Sequence, residues 1–227
     1  MGKEAGTWYL YHPIGIYQYD EEVPEGLYKQ GVRAGDIKYY GAEDGVIDSS
    51  DKLFFGSSNP KIFGGWSNTF TYQGFELNFQ LAYKFGHKVY MGALQQSERI
   101  GGDWGLTEEA ALGRWTGPGT SDFYPRAYNS FTHNFKSYSS MYLVDGSYVR
   151  LRAATLSYKL PKQMISKSGL NNLRVYVQGD NLLLFTNKKY RGFDPEIMNN
   201  ADAGHQGYDN YIVPPPRTVT FGINASF

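Results

Sequence analysis

The chain has 227 residues, 22 basic against 22 acidic side chains, no cysteine, 27 glycines, 20 tyrosines and 14 phenylalanines. Balanced charge removes the global field that draws a protein to nucleic acid or an anionic surface, and the lack of cysteine excludes a disulfide framework and a thiolate metal site. No apolar run reaches the roughly 18 residues of a membrane helix. Yet 17% aromatics with abundant glycine point to an all-β protein, and a mean hydropathy of −0.49 leaves room for a barrel, whose strands are only half apolar.

The opening Met1-Gly2-Lys3-Glu4 lacks the apolar core of a signal peptide, so an export signal is expected outside this chain unless the protein is cytosolic. Residues 7–18 (TWYLYHPIGIYQ) form a weak strand candidate broken by Pro13, and 20–60 reads as a long loop. Within it, Tyr40 to Asp51 has the frame of a Ca²⁺ loop. Asp44 sits at position five, Gly45 at the sharp turn, Asp48 at nine and Asp51 at twelve. Positions one and three are Tyr40 and Ala42, and position twelve is not the usual bidentate Glu, so a plain Gly-Asp turn competes with Ca²⁺ binding by Asp44, Asp48 and Asp51.

Ile62–Tyr72 and Phe75–Phe85 alternate apolar and polar residues over eleven positions each, the span of a tilted membrane strand. Gln73-Gly74 between them reads as a tight hairpin turn. Residues 86–146 form a long connection, with a short capped helix predicted over 106–112. Its aromatics, Trp104, Trp115, Tyr124 and Tyr128 among them, suit either stacking on a sugar or lid protein, or packing of the loop on itself. In 148–160 the alternation slips near Arg152 and Ala153, which predicts a β-bulge; Arg150, Arg152 and Lys159 then face a lumen, where they could meet a plug or an acidic ligand. Residues 162–172 form a turn with one helical turn, 173–185 a strand, 186–216 a second long loop, and 217–227 a final strand with Val219, Phe221, Ile223, Ala225 and Phe227 on one face.

Short turns alternate with long loops, as in outer-membrane barrels. About six strands leave unpaired edges that cannot face lipid, so the chain is expected to be part of a larger barrel. The four histidines are scattered and no catalytic motif appears, so no enzyme is expected. A soluble glycan-binding β-sandwich remains the alternative.

Several stretches, taken together and in order, carry a family resemblance. They are Gly35-Asp36-Ile37-Lys38-Tyr39, Asp44-Gly45-Val46-Ile47-Asp48, Arg114-Trp115-Thr116, Tyr124-Pro125-Arg126, Asp145-Gly146-Ser147-Tyr148-Val149-Arg150-Leu151-Arg152, Leu173-Arg174-Val175-Tyr176-Val177-Gln178-Gly179-Asp180-Asn181, Gly192-Phe193-Asp194-Pro195-Glu196 and the closing strand. The chain resembles the C-terminal barrel part of SusC/RagA-type TonB-dependent outer-membrane transporters of Bacteroidetes. That resemblance implies an antiparallel transmembrane β-barrel of about 22 strands with long extracellular loops and a periplasmic C-terminus. The plug domain is absent from this chain. Implied partners are the remainder of the barrel and the plug, a SusD-like lipoprotein, TonB acting through the plug, and the outer membrane itself. The implied activity is import of glycans or peptides. Phe221, Ile223 and Phe227 resemble the terminal signal read by the barrel-assembly machinery.

Overall fold

The computed structural model describes residues 2–100, 105–127, 136–166, 169–196 and 206–227. The chain divides into two compact units: Met1–Asn59 with Lys88–Val144 and Ile197–Ile212, and Pro60–His87 with Asp145–Glu196 and Val213–Phe227. Most of each expected long connection therefore falls in the first unit, and the long strands make the second.

The first unit opens with β1 (Thr7–Tyr11) and β2 (Pro13–Ile16), followed by α1 (Glu25–Lys29), β3 (Ile37–Tyr39) and β4 (Lys52–Ser57). β1 pairs with β4 and β2 with β3, both antiparallel. The single strand expected over 7–18 is thus two short ones with different partners. Pro13 marks the change, because it has no N–H to carry a ladder onward. That removes the sixth long strand from the expected count and leaves five.

The long hairpin β5 (Ile62–Tyr72) and β6 (Phe75–Phe85) opens the second unit, and β7 (Lys88–Met91), α2 (Gly92–Ser97), α3 (Glu108–Gly113) and β8 (Leu143–Asp145) follow. The predicted helix is α3, and Thr107 caps it by accepting from the Ala110 N–H at 3.3 Å. Next come β9 (Tyr148–Lys159), α4 (Lys162–Ile165), β10 (Asn172–Thr186), β11 (Tyr208–Asp209) and β12 (Thr218–Ser226). β11 adds in parallel to β7. In the first unit, buried Ile16, Leu27, Val32, Ile37 and Tyr39 form one core, and Leu10, Tyr90, Met91 and Tyr142 a second.

The second unit is one antiparallel sheet in the order β12-β10-β9-β6-β5. Gln73 and Gly74 both have positive φ (47° and 87°), the twist that a two-residue hairpin needs. The register sets residues in rows across all five strands. Phe70, Leu77, Leu156, Val177 and Phe221 form one row, and Tyr72, Phe75, Tyr158, Val175 and Ile223 the next. Between them on the opposite face run Thr71, Glu76, Ser157, Tyr176 and Gly222.

The bulge lies where the sequence puts it. Gln80 pairs with Ala153 and Leu81 with Leu151, which leaves Arg152 as the extra residue. Asn181, at φ 53°, belongs to the matching irregularity on β10. The inserted residue returns Leu151 and Val149 to the apolar side.

That apolar side is open. Trp66, Phe70, Tyr72, Phe75, Leu77, Leu156, Phe221 and Ile223 are all exposed, Phe221 at 79%. A soluble sandwich covers such a face with a second sheet, whereas here the rows stay accessible. Holding one large apolar side chain in water instead of an apolar surround costs about 1.5–3 kcal/mol, so this face is built for a non-aqueous neighbour.

Gly222 sits opposite Tyr176, and a Cβ built on it would overlap the tyrosine ring. Gly222→Ala is expected to destabilise the five-stranded sheet by about 1–3 kcal/mol, read as a lower unfolding temperature of the full-length protein. Adding Tyr176→Ala should return most of that loss.

Candidate functional site

On the polar face of the sheet the side chains form several separate hydrogen-bonded groups. Asn78 donates to the Thr69 hydroxyl at 2.8 Å, Gln178 donates to Asp180 at 3.0 Å, and Thr218 donates to the other oxygen of Asp180 at 3.0 Å. Arg174 on β10 pairs with Glu76 on β6 at 2.8 Å, across β9. This is the pattern of a wall with one greasy and one wet side.

Near the start of β9 the contacts become ionic and, at Arg150 and Asp194, buried. Arg150 is 3% exposed and pairs with Asp194, itself 6% exposed. The Arg150 Nε also lies 3.2 Å from Glu196, and Arg152 pairs with the other oxygen of Glu196. The Glu196 N–H donates to Asp194 at 2.9 Å, which fixes the turn that carries both acids. Two cations and two anions cancel. Arg150 and Arg152 do face the polar side, but acids of their own chain neutralise them. The acids that these two arginines meet in the structure are thus residues of their own chain. Lys159 has no carboxylate within ion-pair distance among the described residues.

In the first unit, Asp36 and Arg126 form the comparable contact. Asp36 is fully buried and accepts from Arg126 Nε at 2.8 Å, Arg126 Nη2 at 3.2 Å and the Arg33 N–H at 2.8 Å. Gly35, at φ 89°, brings the backbone so close that a Cβ would lie 2.5 Å from the Trp115 ring. The bidentate pair closes residues 90 positions apart, and sequence reasoning did not join them.

The same unit holds a cavity of about 610 Å³, lined by His12, Ile14, Glu22, Lys38, Asp122, Phe123, Ser140 and Met141 among others. His12 Nδ1 and the Ser140 hydroxyl are 3.0 Å apart. Phe123 and Ile14 present exposed apolar surface, at 50% and 45%. Lys38 has no carboxylate within ion-pair distance among the described residues; its ammonium lies 5.8 Å from the Tyr17 ring. Burial, with Glu43 and then Glu22 adding to it, pushes the Tyr17 hydroxyl up to about 12. Burial likewise raises the Tyr39 and Tyr90 hydroxyls, even though the backbone N–H groups of Lys136 and Ser139 donate to them. These phenols stay neutral and structural at physiological pH.

Trp115 donates its indole N–H to Gln18 at 3.1 Å and packs against the first core. Tyr124 donates to Glu98, which is fully buried, at 3.0 Å. Both therefore support the loops from within, and Phe123 next to Tyr124 is the aromatic that reaches the cavity. Trp104 and Tyr128 lie outside the described residues.

Asp44, Asp48 and Asp51 do not converge on one point. Asp44 accepts from the Val46 N–H at 2.9 Å, Asp48 from the Ser50 N–H and hydroxyl at 2.7 Å each, and Asp51 from the Asp48 N–H at 2.8 Å. Asp48 and Asp51 make a capping box around a short 3₁₀ turn. The two bonds from Ser50 hold the Asp48 carboxyl below the usual range. Among the described residues, no three His, Asp or Glu side chains gather in a metal-ligating group.

No family model matches the chain. TonB-dependent receptor P26 of Formosa agariphila is 30% identical over 219 residues, covering 94% of this chain and 22% of that protein. TonB-dependent receptor P3 of the same organism is 30% identical over 234 residues. TonB-dependent receptor SusC of Bacteroides thetaiotaomicron is 24% identical over 229 residues. By sequence the chain is similar to a part of TonB-dependent receptors, SusC among them. It spans 20–25% of the length of the curated relatives it matches. The RagAB peptide transporter shares the fold at a TM-score of 0.73 and 23% identity, across all of this chain and 24% of that one.

Phe221 and Ile223 stand on the open apolar face, and Phe227 follows β12 at 89% exposure. Arg150→Met is expected to cost about 3–5 kcal/mol, because it leaves buried Asp194 uncompensated. Limited proteolysis of the intact receptor checks this: new cleavage should appear within residues 187–196.

Proposed function

We propose that this chain forms part of the wall of an outer-membrane importer. The observation that carries the reading is the two-sided sheet: five strands, apolar and exposed on one side, hydrogen-bonded and charged on the other. Strands of eleven residues at about 3.4 Å each, tilted by about 45°, rise roughly 26 Å, close to the apolar band of an outer-membrane barrel. In this reading the apolar rows meet lipid and the polar rows meet the lumen. The wall crosses the bacterial outer membrane several times, and the turn at Gln73-Gly74 and the chain end lie on the periplasmic side. The rest of the barrel closes on the sheet edges, a plug fills the lumen and couples to TonB, and a SusD-like lipoprotein covers the outside. The kinship to SusC supports the last two partners. Phe221, Ile223 and Phe227 suit the signal read by the assembly machinery. The likeness to transporters and receptors supports a non-enzymatic role.

The cargo reading rests on the 610 Å³ cavity. Its volume falls within the roughly 300–1,000 Å³ of small-ligand sites. Lys38 faces a space that also holds Glu22 and Asp122, with Phe123, Ile14 and Met141 as apolar surface. A neutral sugar would desolvate these charges without offering counter-charge. A short peptide offers an ammonium, a carboxylate and apolar side chains together. Peptide cargo is therefore favoured over glycan, and the structural likeness to a peptide transporter points the same way.

Two tests separate these claims. In the full-length receptor, Phe221→Arg and Leu156→Arg should each cost about 2–4 kcal/mol if the residue lies near the membrane midplane, while Thr220→Arg should be close to neutral. Equal effects on both faces would sink the wall assignment. For cargo, Lys38→Met or Asp122→Asn should weaken oligopeptide binding about tenfold or more, from losing a charged hydrogen bond of about 1.5–3 kcal/mol. Titration calorimetry that detects only oligosaccharide binding would overturn the peptide reading.

A further inference from the structure

One buried titratable group has no part in the wall or the cavity. His87, which follows β6, is 5% exposed. The Pro195 carbonyl lies close enough to the ring to favour its protonated form, while Nδ1 is buried without a hydrogen-bond partner. Pro195 lies between Asp194 and Glu196, the two acids that clamp this segment to Arg150 and Arg152. The imidazole therefore sits beside a stretch of the 186–216 connection that is held to β9 by charge.

We propose that His87 is a proton-operated catch for residues 192–196: neutral, it lets the segment lie against β9; protonated, it forces the segment to lift. The reason is the surroundings of Nδ1. A proton there needs an acceptor, and the packed arrangement supplies none, so a buried donor would go unpaired beside a new charge. The charged and titratable groups around the ring come from every neighbouring element. Lys84 on β6 repels the imidazolium. Asp145 at the end of β8 attracts it. Tyr148 on β9 meets the ring edge-to-face, with centroids 6.3 Å apart. Arg150 and Arg152 are already matched by Asp194 and Glu196. Burial first, and Lys84 second, hold the His87 titration below the ordinary histidine value, with Asp145 and the Pro195 carbonyl opposing them. The sign follows from that depression. The packed arrangement keeps its full stability above about pH 6.5, the ordinary value, and loses it as pH falls from there through the lower value of the packed state. Among the clustered side chains, histidine is the type whose charge ordinarily changes between about pH 5 and 8.

The test is amide hydrogen exchange in the full-length receptor in lipid nanodiscs, read on a peptide covering 187–196 at pH 7.5 and 5.5, with the intrinsic pH dependence of exchange removed. Wild type should exchange several-fold faster at pH 5.5. His87→Gln keeps a side-chain donor beside the Pro195 carbonyl but cannot take a proton, and should exchange equally at both values. A wild type indifferent to pH overturns the proposal, and so does a His87→Gln receptor as pH-sensitive as wild type. Should that variant fail to assemble, Lys84→Met must shrink the pH effect by easing protonation in the packed state. An undiminished effect in Lys84→Met overturns the proposal equally.

Discussion

Everything in the second unit depends on keeping one apolar face unbroken across five strands. Side chains change faces at every residue, so a single slip in register would turn leucines inward and arginines outward. β9 carries such a slip in its sequence, and the extra residue at Arg152 absorbs it. Upstream, Val149 and Leu151 share a face with Leu81 and Tyr83. Downstream, Ala154 and Leu156 share it with Phe79 and Leu77. The bulge also places Arg150 and Arg152 within reach of one short turn, so the device that preserves the greasy face also builds the ionic cluster behind it.

Charge does for the irregular segments what register does for the sheet. A long connection has too few neighbours to fix its path by packing alone. Here two arginines, Arg150 buried and Arg126 partly so, hold two such connections. Arg126 grips Asp36, 90 residues upstream, and Arg150 grips Asp194, 44 residues downstream. In both cases the acid sits in a turn whose backbone also donates to it, so each carboxylate is oriented before the arginine arrives. Buried pairs of this kind add little net stability, yet removing one partner is costly. That combination suits segments whose position matters more than their contribution to stability.

The strands were readable because alternation is a local signal. So were the Gln73-Gly74 turn, the Thr107-capped helix and the bulge, each marked by residues next to one another. The pairing of Gly35-Asp36 with Tyr124-Pro125-Arg126, and of Tyr148 to Arg152 with Asp194-Pro195-Glu196, was not. Each motif stood out, but nothing local says which motif it meets. The same limit explains Trp115 and Tyr124: an aromatic in a loop looks alike whether it waits for a ligand or props the loop, and their hydrogen bonds to Gln18 and Glu98 lie beyond local sequence. Residues 7–18 misled for a different reason. Their apolar pattern is real, but Pro13 splits the ladder and hands each half to another partner. In the acidic run from Asp44 to Asp51, spacing suggests ligands, while one oxygen of each acid accepts from a nearby backbone N–H.

The central claim is that the exposed rows of the sheet meet hydrocarbon. Trp66 stands on that face at 54% exposure, with its ring 5.4 Å from Phe79. Its fluorescence in the full-length receptor, isolated by difference from a Trp66→Phe variant, should be strongly quenched when the bilayer is made of lipids brominated along the acyl chain. Aqueous iodide should leave it nearly unchanged. Quenching by iodide and not by brominated lipid would place Trp66 in water and contradict the account.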